Sequence, residues 1–316
     1  MIDALFIVGG LVALIVGGDW LLKAAVGISL KFNISKIIIG LTVVSFATSA
    51  PELIVSIKAA MDGFSDIALG NVIGSNISNI ALVLGTVIVI SAMKVDVGFF
   101  KLDWPVMMLS SLLLCLFLYT DSTIERWEGF VLFSFLLLFV MILIRKARKD
   151  KKIQAELDLP EVNEGDSSIK IIGFAVGGGV LLWLGSELLV KGAVNLATTM
   201  GVSERVIAVT IVSVGTSIPE LVASVMAAIR KESDLSIGNI VGSNIFNILS
   251  VLGLASIIHP IDLKDERLLT FDTWVMIGVA FVMLPLIAMP KRGFLDRKAG
   301  VLLLALYAWF VYFTFS

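Results

Sequence analysis

The chain has 316 residues, of which 58% are hydrophobic and 16% are charged, and its mean hydropathy is +1.01. Soluble domains carry about 25% charged residues, so this composition excludes a soluble domain, and the net charge of −2 gives no sign of a nucleic-acid partner. Apolar runs of about 20 residues recur along the chain, which predicts an all-α polytopic membrane protein. The single cysteine, Cys115, excludes an internal disulfide and a cysteine-based metal site.

Ten transmembrane helices are predicted in chain order. The first has no basic segment before it and carries Asp19 inside its apolar run, so it is predicted to be an uncleaved helix and not a signal peptide. The long polar stretch 145–170 is interpreted as a solvated linker, and His259, at the end of an apolar run, is predicted to lie in a loop. The predicted helices lie near 2–30, 36–61, 66–92, 102–120, 124–144, 169–198, 204–229, 234–258, 271–290 and 294–315.

The distribution of lysine and arginine predicts the orientation. With the N-terminus outside, 17 of these residues fall in inner loops and 5 in outer loops. Lys23 and Lys191 lie inside helices, where each stands four residues after an acid, Asp19 or Glu187, and is interpreted as a helix-surface ion pair. The chain is therefore predicted to be a multi-pass protein of the cell (inner) membrane, with both termini outside and the linker cytoplasmic.

The sequence repeats itself at an offset of 168 residues. The stretch "SFATSAPELIVS" at 45–56 matches "SVGTSIPELVAS" at 213–224, and "GNVIGSNISNI" at 70–80 matches "GNIVGSNIFNI" at 238–248. Each half holds five predicted helices, so the second half enters the membrane from the opposite side. The predicted domains are therefore a first repeat at 1–144, a linker at 145–168 and a second, inverted repeat at 169–316, an architecture that recurs in secondary transporters with the site at the repeat interface.

A proline and a glutamate interrupt the second and the seventh helix at matching positions. Pro51 frees the carbonyl of Ala47 and Pro219 frees that of Gly215, and a free carbonyl must face protein or water inside a membrane. Hydroxyl groups spaced three or four residues apart share a helix face with each glutamate. The first set is Ser45, Thr48, Ser49, Glu52 and Ser56, and the second is Ser213, Thr216, Ser217, Glu220 and Ser224.

A second polar stripe follows on the next helix of each half, interleaved with glycines that allow close helix packing. It is predicted to press against the helices that bear the glutamates. The stripe consists of Asn71, Ser75 and Asn79 in the first half and Asn239, Ser243 and Asn247 in the second.

The pooled donors are carboxylate, hydroxyl, amide and backbone oxygens, which suit Ca²⁺ and Na⁺ and argue against zinc, copper or iron. No lysine or arginine stands in the motif cores to neutralise Glu52 and Glu220, and an unpaired buried carboxylate costs several kcal/mol. Two carboxylates are balanced by one Ca²⁺ or two Na⁺, which favours exchange of these ions at one site. A proton could also neutralise them, and this alternative stays open.

The two motifs resemble the alpha-repeats of the cation/calcium exchanger superfamily, the sodium/calcium exchangers, over essentially the whole chain. The resemblance implies that Glu52 and Glu220 are the central ligands and that helices 1 and 6, at Gly17, Gly18 and Gly185, slide against the rest. It also implies ion-binding hydroxyls at four positions, serines on helices 3 and 8, amide positions at the centre, and backbone carbonyls at two positions. The four hydroxyl positions are Thr48, Ser49, Thr216 and Ser217, and the serines on helices 3 and 8 are Ser75 and Ser243. The central amide positions are Asn79 and Asn247, and the two backbone carbonyls belong to Ser45 and Ser213.

The sequence departs from the family pattern at two positions. Ala47 stands where the family usually has glycine, and Asn247 stands where many relatives, including the potassium-dependent branch, carry aspartate. The proton/calcium branch typically carries a further glutamate on the third and eighth helices, and both motifs here are centred on asparagine.

The leading hypothesis is a Na⁺/Ca²⁺ antiporter without a cofactor or a required protein partner. A H⁺/Ca²⁺ antiporter is the nearest alternative and a cation channel a distant one, because the glutamates form one inverted pair and not a ring of subunits. An intramembrane enzyme is disfavoured because the sequence motifs contain no Ser–His, Asp–Asp or His–metal set.

Overall fold

The computed structural model describes residues 2–32, 34–95, 98–149, 168–199, 213–288 and 293–315, and the chain is helical through almost all of them. Each of the ten predicted segments contains helix within this part. Residues 204–212 of the seventh segment and most of the polar stretch 145–170 lie outside it. The helices are α1 (Ile2–Phe32), α2 (Lys36–Thr48), α3 (Ala50–Met61), α4 (Ser65–Ile90), α5 (Phe99–Asp121), α6 (Arg126–Lys149), α7 (Ser168–Thr199), α8 (Ser213–Thr216), α9 (Ile218–Ile229), α10 (Ser233–Ile258), α11 (Leu268–Ala288) and α12 (Arg297–Phe315).

Eight of the described helices are long and apolar enough to cross a membrane, and the bent pair α2 and α3 makes a possible ninth span. The prediction of a polytopic, all-α membrane fold is therefore confirmed. α4 and α10 are the most deeply buried spans, and α1, α6, α7 and α12 expose more of their surface. The polar stripes of the sequence thus lie on the two helices at the centre of the bundle.

Several helices contain a turn of π-helix, and two of these turns, in α4 and α5, recur at equivalent places in α10 and α11. They lie at Gly40–Val44, Ser78–Leu84, Phe99–Asp103, Asn247–Leu252 and Leu268–Asp272. A π-turn shifts the i→i−4 register and often marks a functional site. In α4 and α10 it begins at or beside the asparagines predicted for the site, Asn79 and Asn247.

Two short antiparallel strand pairs join the loops of one half to those of the other. β1 (Met93–Lys94) pairs with β4 (Phe294–Leu295), and β2 (Thr123–Ile124) pairs with β3 (Ile261–Asp262). Because α5 runs between β1 and β2, the two pairs lie at opposite ends of the bundle. Each pair ties both halves together at one end.

The helices α1 and α7 pack along each other through backbone contacts at glycines. A Cβ atom added at Gly10 would lie 2.8 Å from the carbonyl oxygen of Gly185, and one added at Gly17 would lie 3.0 Å from that of Gly178. Only residues without a side chain allow this approach. The prediction that Gly17 and Gly185 lie where these two helices meet the rest of the bundle is therefore wrong, because both glycines lie between α1 and α7; Gly18 does face the rest of the bundle, at Val222 of α9.

Candidate cation-binding site

Both glutamates lie in the first turn of a short helix that follows a break. The helix direction changes by 47° between α2 and α3 at Ser49, whose φ and ψ are −85° and 5°. Ser217 has nearly the same geometry, −87° and 4°, between α8 and α9. Each break precedes a proline, which cannot donate to the preceding turn, and the positive end of the new helix dipole favours a carboxylate there.

The carboxylates of Glu52 and Glu220 are fully buried, at 0% exposure each. A hydrogen bond links the two positions, because Ser49, one helical turn before Glu52, donates to Glu220. Among the described residues, no lysine, arginine or histidine forms an ion pair with either one. Two like charges without a protein counter-charge are costly in a buried place, so the site favours a cation or a proton.

Hydrogen bonds across the two halves assemble the site. The Ser49 hydroxyl donates to Oε1 of Glu220 at 3.1 Å, which joins the first break to the second carboxylate. The Thr48 hydroxyl lies 3.2 Å from Oδ1 of Asn239 and 3.4 Å from the Ser243 hydroxyl. These contacts place the broken helix of one half against the polar stripe of the other.

The polar stripes also press against the glutamate-bearing helices of their own halves, as predicted. Asn71 donates from Nδ2 to the Ser56 hydroxyl at 3.0 Å. Its counterpart Asn239 donates to the Ser224 hydroxyl at 2.9 Å. Equivalent residues of the two repeats therefore make equivalent contacts at this position.

Several buried side-chain atoms on the broken helices and on α4 and α10 have no hydrogen-bond partner among the described residues. A buried acceptor without a donor costs about 1–3 kcal/mol, and more when charged, and a bound cation would remove this cost. The part of the chain that the structure describes contains no group of three or more histidine, cysteine, aspartate or glutamate residues arranged to hold a metal ion. The unpartnered atoms are both Glu52 oxygens, Oε2 of Glu220, the hydroxyls of Ser75 and Ser217, Oδ1 of Asn244 and Asn247, and the side-chain amide of Asn79.

The sequence profile of one family, described as "Sodium/calcium exchanger protein", matches residues 2–145 and 170–316. The chain belongs to the sodium/calcium exchanger family. It is 37% identical to a candidate antiporter, CaxA of Alkalimonas amylolytica, with 100% of this chain and 99% of that protein covered. It is 30% identical to the sodium/calcium exchanger MaX1 of Methanosarcina acetivorans, with 98% and 97% covered.

A comparison of the fold with solved structures supports membership of the same family. The exchanger superposes on a structure of the sodium-calcium exchanger NCX_Mj, soaked with Na⁺ and Ca²⁺, with a TM-score of 0.82 and 28% sequence identity. The match covers 98% of this chain and 97% of the other. The protein is thus an antiporter of this family with a polytopic helical membrane fold.

Most of the residues predicted for the exchanger's site lie buried on the broken helices or on α4 and α10. Besides the two glutamates, Thr48, Ser49, Ser217, Ser75, Ser243, Asn79 and Asn247 are at most 3% exposed, and Thr216 is half-buried and donates to Oδ1 of Asn71 at 3.3 Å. Whether they bind ions stays a prediction.

Ser45 has a packing role that the sequence did not reveal. Its hydroxyl donates to backbone carbonyls, of Gly40 at 2.7 Å and of Asn239 at 2.9 Å, beside Gly242. Its own carbonyl accepts from the Ser49 amide at 2.9 Å. The side chain of Ser213 lies outside the described residues, so its prediction stands as made.

Asn76 and Asn244 were missed by the sequence reasoning. Each donates from Nδ2 to the backbone carbonyl of the other at 3.2 Å, and Asn247 donates to Oδ1 of Asn76 at 3.1 Å. The signal was present, since both stand in the repeated "GSN" motif. They fall outside the i, i+4 stripe and so were not counted with it.

Proposed function

We propose that the protein exchanges Na⁺ for Ca²⁺ across the membrane by alternating access at the site between Glu52 and Glu220. The observation that carries the proposal is the pair of fully buried carboxylates with no cationic partner among the described residues. Both lie at helix breaks, and hydroxyl and amide oxygens from both halves surround them. A site of this kind at a repeat interface is typical of secondary transporters.

The charge of the site supports an exchange of Na⁺ for Ca²⁺ in a fixed ratio. Two carboxylates carry −2, which one Ca²⁺ or two Na⁺ neutralise. Because the empty site is charged and buried, its movement between the two faces is penalised, while the loaded site is neutral. Coupling follows from this difference, since each crossing requires one set of ions or the other. The donors are hard oxygens, which suit both cations.

We also propose ten spans in two inverted repeats, 1–144 and 169–316, joined by a linker at 145–168. The contacts at the bundle ends support this arrangement. Lys31 contacts Ser168 and Lys36 pairs with Glu232 at 2.8 Å, all in predicted inner segments. At the other end, the predicted outer residues Asp66 and Lys264 are joined by a hydrogen bond of 2.9 Å.

The positive residues of the predicted inner loops support a location in the cell (inner) membrane with both termini outside and the linker cytoplasmic. Ca²⁺ and Na⁺ are then the transported substrates, and neither a cofactor nor a protein partner is required by the proposed cycle.

Proton-coupled Ca²⁺ exchange is the alternative that the same buried carboxylates favour, because protons could neutralise them in place of Na⁺. The neighbouring amides weigh against it. Asn79 and Asn247 are fully buried beside π-turns and cannot carry protons through a cycle.

Flux coupling tests the proposal. Proteoliposomes are loaded with Na⁺, with K⁺ or only with a pH difference, and ⁴⁵Ca²⁺ uptake is measured. The proposal expects uptake that requires trapped Na⁺ and stops when Na⁺ is equal on both sides. Uptake driven by the pH difference and indifferent to Na⁺ would assign the protein to proton coupling, and uptake that needs no counter-ion would indicate a channel.

A further inference from the structure

The contact between α1 and α7 has the symmetry of the sequence repeat. The contacts of these two helices with the rest of the bundle do not have it. The offset of 168 residues carries Gly10 to Gly178 and Gly17 to Gly185, so it exchanges the two glycine contacts described above. The pair is therefore symmetric in itself. If α1 and α7 make different contacts with the rest of the bundle, these differences distinguish the arrangement in this structure from the one in which the two helices exchange their contacts.

One hydrogen bond marks the placement of α7. The Ser186 hydroxyl, 6% exposed, donates to the carbonyl oxygen of Gly215 at 2.6 Å. This carbonyl is the one that Pro219 deprives of its helical partner, and it lies one turn before Glu220. Ser186 thus satisfies a buried acceptor in the helix break that precedes the carboxylate.

The counterpart of Ser186 in α1 is Gly18, and it faces another part of the bundle. A Cβ atom at Gly18 would lie 3.0 Å from Cγ1 of Val222 and 3.3 Å from Cγ of Met226, both on α9. The contacts of α1 and α7 with the bundle are therefore not related by the repeat. Exchanging them would place Gly18 beside the carbonyl of Ala47, the acceptor freed by Pro51, and glycine has no hydroxyl to offer.

An ion pair of α1 also favours the arrangement in this structure over the exchanged one. Arg230, at the end of α9, pairs with Asp19 of α1, and Lys23 pairs with Asp19 at 2.9 Å. The repeat counterparts of Asp19 and Arg230 are Glu187 and Asp62, which are both acidic. The exchanged arrangement would thus bring two like charges together, a small effect at exposed positions.

We propose that Ser186 is a positioning residue, which ties α7 to the broken helix carrying Glu220 and biases the exchanger towards the arrangement seen in this structure. The inference rests on the proposed alternating access, in which the second state exchanges the contacts of the two repeats. A single net hydrogen bond shifts such an equilibrium about two- to tenfold. Most of this bias lies in the sequence difference between Ser186 and Gly18, with a small contribution from the pair of Asp19 and Arg230, and not in the ion ligands.

Apparent Ca²⁺ affinities, measured separately at the two faces of the membrane, test the proposed role of Ser186. The Michaelis constant for ⁴⁵Ca²⁺ is determined in everted and in right-side-out vesicles for the wild type and for Ser186→Ala. Because an apparent affinity scales with the population of the competent state, the variant is expected to raise the constant at one face and lower it at the other, so that the ratio of the two constants changes by about two- to tenfold. Ser186→Thr, which keeps a hydroxyl, is expected to restore the wild-type ratio.

Ser110→Ala is the matched control. Ser110 is also fully buried, but its hydroxyl donates to Val106 within its own helix, at 2.7 Å. It is expected to leave the ratio between the two faces unchanged. Unchanged constants in Ser186→Ala, or constants that rise together at both faces, would overturn the proposal.

A second readout separates this inference from the proposed function. Amide hydrogen exchange is measured on the full chain in detergent, over peptides covering residues 180–192 and 213–222. Ser186→Ala is expected to exchange faster in both, and Ser110→Ala in neither. If the wild type shows no Na⁺-coupled flux but this difference remains, the proposed function fails while the tether stands; if exchange in Ser186→Ala equals the wild type, the tether fails whatever the flux.

Discussion

Replacing Glu52 by glutamine should stabilise the ion-free protein and abolish its response to Ca²⁺. In the absence of ions, Glu52 and Glu220 repel each other without a counter-charge from the described residues. At an effective dielectric constant of about 20, two unit charges a few ångströms apart repel by a few kcal/mol. Taking this repulsion as an upper bound, we expect a gain of about 1–2 kcal/mol in the free energy of unfolding, which is a few degrees in Tm.

Ca²⁺ should stabilise the wild type far more than it stabilises Glu52→Gln. At a Ca²⁺ concentration 100 times its Kd, the wild type is stabilised by about 2.7 kcal/mol. Loss of one charged ligand, about 3 kcal/mol, weakens binding at least about 100-fold. The same Ca²⁺ concentration then stabilises Glu52→Gln by only about 0.4 kcal/mol.

The assay is thermal unfolding of the detergent-solubilised protein, followed by tryptophan fluorescence, with and without Ca²⁺. Glu128→Gln is the matched control, since Glu128 is 1% exposed and its Oε2 accepts the Glu125 amide at 2.9 Å. It should lower or preserve Tm and keep the full Ca²⁺ response. A Glu52→Gln protein that melts below the wild type without ions and still gains the full stabilisation from Ca²⁺ would refute the reasoning.

Three further predictions concern single side chains. Ser49→Ala removes the hydroxyl that bonds Glu220 and should raise the Na⁺ concentration for half-maximal exchange about five- to tenfold, measured as Na⁺-dependent ⁴⁵Ca²⁺ uptake; an unchanged Na⁺ dependence would remove Ser49 from the site. Asn247→Asp adds a carboxylate at a fully buried position and should change the order of cations that compete with ⁴⁵Ca²⁺, whereas an unaltered order would show that this side chain does not contact the ions. Gly17→Val, where a Cβ atom would lie 2.8 Å from the Leu182 amide nitrogen, should lower Tm by several degrees and slow exchange while Ca²⁺ binding persists, and full transport in this variant would contradict the packing.

The sequence predicted those parts of the fold that rest on local chemistry. The length of the apolar runs predicted where the helices lie. Pro51 and Pro219 predicted the two helix breaks, because proline removes a backbone hydrogen bond wherever it stands in a helix. The repeat predicted that Asn71 and Asn239 would meet the glutamate-bearing helices, and Asp19 does pair with Lys23. His259 lies exposed at the end of α10, as predicted.

Contacts between distant segments could not be predicted from single patterns. The π-turn at Asn247–Leu252 and the reciprocal bonds of Asn76 and Asn244 depend on how α4 and α10 meet. Ser45 carries the same hydroxyl as Ser49, but only the approach of Gly242 decides that its side chain is used in packing. The role of Ser186 required knowing which carbonyl α7 reaches.

Equilibrium binding tests the central claim most directly. Binding of ⁴⁵Ca²⁺ to the purified protein is measured against increasing Na⁺ for the wild type, Glu52→Gln and Glu220→Gln. The account predicts that Na⁺ displaces Ca²⁺ with a Hill coefficient approaching 2, because two Na⁺ balance the charge of one Ca²⁺, and that both variants lose high-affinity binding. Ca²⁺ bound equally well by the variants, or displaced from the wild type by protons and not by Na⁺, would contradict it.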